Sequence, residues 1–344
     1  MKLTISLSII VIASFLFAFN NSSVLESEEA RTSLLSTLDN DTPVSSLLQE
    51  LGDKAPLHIL KNIDTAMVRH GKEIVFTGTT TGPNGKKIKK QSKYFVCIDC
   101  HNTVQEDPDL TNPNPEARLK HAAENKIPFL QGTTFHGIVN REHWYNEDYI
   151  KKYGNLVIPT NDTLINALHL CAVECSQGRD LNDWEMEAVL SYLWSIEFTI
   201  GDLNLSAQEK NTLSSTASNS EKIALLKSKY FKASPATFLD PIPFKERNFG
   251  KGGDPENGQK VFEQGCIHCH NATYGAADLK LESSQLTKDM FKRNLKKSND
   301  FNLYYITRKG THPYPGHRRY MPHYTLERMS HQQLEDLIAY MKKK

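Results

Sequence analysis

Two short segments, Cys97-Ile-Asp-Cys100-His101 and Cys266-Ile-His-Cys269-His270, constrain this chain more than anything else in it. In a C-x-x-C-H segment two thiols can add across the vinyl groups of a haem, and the adjacent histidine is then presented to the iron. Zinc would need the two C-x-x-C pairs packed together and gives no reason for a histidine after each. A pair of disulfides leaves the histidines unexplained too. The expectation is therefore two covalently attached c-type haems, with Cys97, Cys100, His101, Cys266, Cys269 and His270 as the attachment residues. His268, inside the second segment, reads as a solvated neighbour.

The chain then repeats itself. "DPENGQKVFEQGCIHCH" places an amphipathic helix just before the second segment, with Val261 and Phe262 on its apolar side. "MSHQQLEDLIAYMKKK" closes the chain as a helix: Ser330 and Gln333 suit a capping box, and Leu334, Leu337, Ile338 and Met341 recur at helical spacing. The first half answers with "GKEIVF" for "GQKVF" and with "NDWEMEAVLSYLWSIE" as its closing helix, striped by Met186, Val189, Leu190 and Leu193. The order matches a small single-haem cytochrome c, twice. The expected fold is mainly α, with two class I cytochrome c-like domains, each around one haem. Residues 1–22 read as signal peptide or N-terminal anchor and 23–55 as polar spacer. The N-terminal haem domain is 56–200, the connector 201–250 and the C-terminal haem domain 251–344.

Each iron needs a second axial ligand. Met321, before Pro322 and ahead of the last helix, is the expected ligand opposite His270, with His317, His323 and Met329 as competitors. Met/His ligation raises the potential of a haem. Val173 stands as far before Tyr192 as Met321 stands before Tyr340, and Cys171 and Cys175 flank it. "TLINALHLCAVEC" reads as a helix with Leu164, Leu168, Cys171 and Cys175 on one face. A thiolate there would lower the potential. A Cys171–Cys175 disulfide and two buried bystanders are the alternatives, and His169, His136 and Met186 compete for the iron, Met186 reading as core.

"LCAVECSQGRDLNDWEMEAVLSYLWSIE" resembles the segment that carries the axial cysteine in dihaem thiosulfate dehydrogenases and, more distantly, in SoxA cytochromes. In that family a cysteine precedes a Gly-basic pair and then an acidic-Met pair that opens a helix. Here these are Cys171, Gly178-Arg179 and Glu185-Met186. The spacing favours Cys171 over Cys175, which has no counterpart there. The resemblance implies that Cys171 is a catalytic ligand, that Arg179 holds a small sulfur anion, and that the His/Met haem passes electrons on; read from the residues alone, Arg179 is a helix-flanking charge in solvent. The segment "IPFLQGTTFHGIVNREHWYNEDYIKKYGNL" has no counterpart either, and its Gly, Asn and aromatic content suits a loop over a haem edge.

Met1-Lys2 and the apolar run "LTISLSIIVIASFLFAF" form an export signal, either cleaved or kept as a membrane anchor. The protein is expected in the periplasm. The charge balance of 41 basic to 40 acidic residues speaks against nucleic acid as a partner. Redox proteins of the cell envelope are the expected partners. Three function classes follow: a dihaem electron carrier, a thiosulfate dehydrogenase or tetrathionate reductase type of oxidoreductase, and a dihaem peroxidase. The last lacks its Trp-Asp-Gly-Arg segment.

Overall fold

In the computed structural model the described residues are 39–270, 284–297, 302–311 and 319–343. The apolar run within 1–22, the spacer as far as residue 38, and His317 lie outside them. The described residues form twelve α-helices, short 3-10 and π turns and two isolated β-bridges. The α-helices are α1 (Val44–Glu50), α2 (Thr65–Thr77), α3 (Pro115–Asn125), α4 (Glu147–Tyr153), α5 (Leu164–Leu170) and α6 (Asp183–Trp194). They continue with α7 (Ala207–Ser214), α8 (Asn219–Lys227), α9 (Pro255–Val261), α10 (Ser284–Asn294), α11 (Leu303–Lys309) and α12 (His331–Lys342). Among the described residues no helix is long and apolar enough to cross a membrane.

The chain divides into two compact units, one holding 39–54 and 198–228 and the other 55–197 and 229–344. The smaller unit forms where a polar spacer and a connector were expected. Its helices hide few but well-spaced leucines: Leu47, Leu48, Leu213 and Leu226 are buried. Two Ser-to-Glu capping boxes, Ser206 with Glu209 and Ser218 with Glu221, start α7 and α8.

The larger unit carries both C-x-x-C-H segments and is built on one packing scheme used twice. α2 lies against α6, and α9 lies against α12. Each pair crosses at a glycine. A Cβ on Gly71 would stand 1.9 Å from the Ala188 carbonyl oxygen, and one on Gly258 1.9 Å from that of Asp336. Only glycine permits backbones this close. The closing helices start where their caps dictate: Asn182 with Glu185, and Ser330 with Gln333, each exchange side-chain and backbone bonds. Their apolar stripes are core. Met186, Val189, Leu190 and Leu193 are buried in the first half, and Leu334, Leu337, Ile338 and Met341 in the second.

The halves are not two beads on a string. α3, from the first half, sends Leu119 and Ala122 into the core of the second, where they meet Val261, Phe262 and Leu334. Beside them a buried ion cluster joins the halves. Glu106 pairs with Arg118 at 3.5 Å and with Arg328 at 2.5 Å, and all three are nearly inaccessible to solvent. Arg118 also donates to the carbonyl oxygens of Leu130 and Arg328, and its guanidinium lies 4.0 Å from the Phe129 ring centre. Every one of these charges is paired, as burial demands.

Candidate functional site

The two C-x-x-C-H segments adopt one local fold. The His101 and Cys100 amides donate to the Cys97 carbonyl at 3.0 and 3.2 Å, and those of His270 and Cys269 to Cys266 at 2.8 and 3.2 Å. Each turn thus carries its histidine one helical step past the second cysteine. A π turn, Phe262–Cys266, delivers the second segment directly from α9. The two segments also touch. His268 is half-buried, not solvated as expected, and donates through Nε2 to the Ile98 carbonyl at 3.2 Å. Cys269 packs against Phe95 and Val96.

His101 sits in a built socket. Its Nδ1 lies 2.6 Å from the Thr133 carbonyl oxygen, and Phe135 stacks on its ring at 4.5 Å and 14°. A carbonyl only accepts, so Nδ1 carries the proton and Nε2 keeps its lone pair for a metal. Burial lowers the imidazole below the usual histidine range, so the neutral form prevails. Thr133 is held in turn: Glu106 accepts from the Thr134 amide at 2.8 Å, and Arg141 donates to the Thr133 hydroxyl at 3.2 Å. The Gly- and aromatic-rich segment therefore does pack on the first histidine. Gly132 admits the close approach, since a Cβ there would lie 2.6 Å from the His101 ring.

The second site is a cavity of about 210 Å³. Cys266, Cys269, His270 and Met321 all line it, with Phe291, Leu303, Met329 and Leu337 as apolar wall. Two thiols, an imidazole and a thioether on one apolar cavity are the donor set a covalently attached haem needs. Met321 is fixed by its backbone, with its amide on the Thr311 hydroxyl at 2.8 Å and its carbonyl receiving the Thr311 amide at 2.9 Å. Burial pushes the Cys97, Cys266 and Cys269 thiols up to about 12. Met329 and Met186 are buried, and His323 packs its ring on Phe238. His169 pairs with Asp180.

Cys171 and Cys175 form the ends of a second π turn, not of a continuous α-helix. The Ser176 amide reaches back to the Cys171 carbonyl at 2.8 Å, and this wider turn ends the α-helical stripe expected for the two thiols. None of the six cysteines is in a disulfide. Cys175 acts electrostatically on His101, Cys100 and Tyr153, and both thiols act on Tyr145, Tyr149 and Tyr320. The Cys175 side chain is exposed, and the neighbouring Cys171 thiol, together with desolvation, raises its own thiol. Tyr145, Tyr149 and Tyr153 stand one turn apart on or before α4, ring against ring.

Sequence reasoning missed what holds this turn. Gln91 donates to the Ala172 and Arg179 carbonyls at 2.7 and 2.9 Å, and Ser92 donates to that of Ser176 at 2.6 Å. Both lie in the lysine-rich stretch before Cys97, which has no pattern to mark them. Arg179, expected to hold an anion, is committed elsewhere. Its fork grips Glu185 at 2.6 and 2.7 Å and the Lys89 and Asp180 carbonyls at 2.6 and 2.7 Å. Glu185 is buried and needs this partner, so the guanidinium buttresses the start of α6.

Among the described residues no three His, Cys, Asp or Glu side chains converge as a metal site, so the zinc alternative finds no ligand set there. No curated protein and no solved structure matches the chain. Residues 255–344 match the family model described as Cytochrome c. Over that stretch the chain is similar to cytochrome c, which supports covalent haem attachment and electron transfer there.

Proposed function

We propose that the chain is a dihaem electron-transfer protein of the cell envelope, with one haem in each half of the larger unit. The observation that carries this reading is the pair of similar C-x-x-C-H turns in mutual contact, each set in the chain between the two helices of a pair crossed at a glycine. Haem at each turn supplies a one-electron couple. Cys97 and Cys100 attach the first and His101 ligates it; Cys266, Cys269 and His270 do the same for the second. Met321 is the second ligand at the latter site. At the first site Cys175 or Cys171 would complete the set with His101, and the electrostatic action of Cys175 on that histidine favours Cys175. With a haem held at each turn, thiolate ligation would lower the first potential and Met/His ligation would raise the second, which would favour electron flow from first to second.

Low-temperature EPR of the oxidised protein tests the ligands. A low-spin thiolate signal present in wild type and in Cys171→Ser, and lost in Cys175→Ser, is the expected result. Loss in Cys171→Ser alone restores the assignment favoured by sequence spacing. Retention in both variants removes cysteine ligation from the account.

A second reading, an oxidoreductase acting on small sulfur anions at the first site, is favoured by the exposure of Cys175. Turnover of thiosulfate or tetrathionate by the holoprotein separates it from a simple carrier.

A further inference from the structure

Tyr320 directly precedes Met321, and it belongs to both sites. Its ring lines the cavity shared by Cys266, Cys269, His270 and Met321, and packs edge-on against Phe95 at 5.3 Å. Its hydroxyl leaves that cavity and donates to the Cys175 carbonyl at 2.9 Å. The turn it reaches is anchored from the other side by Gln91 and Ser92, which sit a few residues before Cys97. The segment it stands on is anchored by Thr311 through the two bonds to Met321. One side chain therefore ties two otherwise separately held segments, each bearing a thiol or thioether that the proposed function assigns to an iron.

The geometry points to Tyr320 as a positioning residue that couples the two ligand segments, so that a change of ligand at the first haem is felt at the second and the reverse. This rests on the dihaem reading above. A displacement of the Cys171–Cys175 turn pulls on the Cys175 carbonyl, the hydroxyl bond passes it to Tyr320, and the next residue is Met321. Met321 is pinned to Thr311 but not covalently, so strain in its backbone reaches its sulfur. Coupling of this kind is reciprocal: whatever the state of the second site does to ligand affinity at the first, the first returns to the second. A single hydroxyl-to-carbonyl bond of this type limits the effect to about five-fold in an affinity.

The experiment uses the holoprotein and imidazole as the probe that competes for the first iron. Its affinity is measured with the second haem oxidised and again with it reduced. The wild-type ratio of the two affinities contains a direct electrostatic part and the Tyr320 part. Tyr320→Phe keeps the ring against Phe95, so it folds, and the ratio is expected to fall by about three- to five-fold. Hydrogen exchange at the 171–178 amides is expected to quicken in the same variant. A merely structural role would change stability and leave the ratio alone. An unchanged ratio in Tyr320→Phe, with two haems bound, overturns the coupling and leaves the dihaem reading standing. One haem per chain overturns both.

Discussion

Replacing Glu106 by Gln is expected to destabilise the larger unit by about 3–5 kcal/mol, the cost of removing one partner from a buried ion cluster. Arg118 would lose its paired carboxylate, and Arg328 would keep only Asp107, at 3.9 Å. Burial alone would raise the Glu106 carboxyl, but the two guanidinium groups and a bond from Asn102 hold it down at about 2, against an ordinary 4.5. The folded value lies below the unfolded one. The stabilisation is therefore complete above about pH 4.5 and is lost as pH falls towards about 2. Urea unfolding at pH 7 and at acid pH measures both effects. In Glu106→Gln the acid-induced loss should shrink as well, because the titrating group is gone. A second consequence is local. Glu106 holds the Thr134 amide, and Thr133 holds His101, so the variant should also disturb the absorption of the first haem before it unfolds. A cost below about 1 kcal/mol would mean that the halves are not joined through this cluster.

Gly71→Ala and Gly258→Ala give the other large effect, and here even the sign is informative. In an ordinary helix interior, replacing Gly by Ala stabilises by about 1 kcal/mol. At these two crossings the added Cβ falls on a backbone carbonyl, which cannot rotate away. Each helix pair must open, and the expected cost is about 3 kcal/mol per substitution. Thermal melts of the two variants decide the matter. A rise in melting temperature in either would show that its helices do not meet at the glycine.

These two glycines also show how the fold was legible. The echo of "GKEIVF" in "GQKVF" and of one apolar stripe in the other pointed to repeated helix pairs because they recur in the same order. All eight stripe residues named from the sequence are buried. What the sequence hid was long-range. No pattern marks α3 as a helix that serves the core of the other half, since Leu119 and Ala122 look like any amphipathic pair until their partners are known. The buried charges were hidden for the same reason: Glu106, Arg118 and Arg328 lie far apart in the chain, and a lone Glu or Arg reads as solvent-exposed. At the site, the two C-x-x-C-H turns were legible from spacing alone. The π turn was not, because Cys171 and Cys175 fit an α-helical stripe just as well. Arg179 looked available only because its partner, Glu185, seemed an ordinary first-turn acid.

The intact mass of the mature protein under denaturing conditions tests the central claim most directly. Covalent haem survives unfolding, so each attachment adds its own increment to the polypeptide mass. Two increments in wild type, one in a Cys97→Ala/Cys100→Ala variant and one in a Cys266→Ala/Cys269→Ala variant are the result this account predicts. A single increment in wild type, lost with Cys266 and Cys269 and untouched by the first pair, would contradict it: the chain would then carry one haem, and the first half would be a cytochrome-like shell without its cofactor.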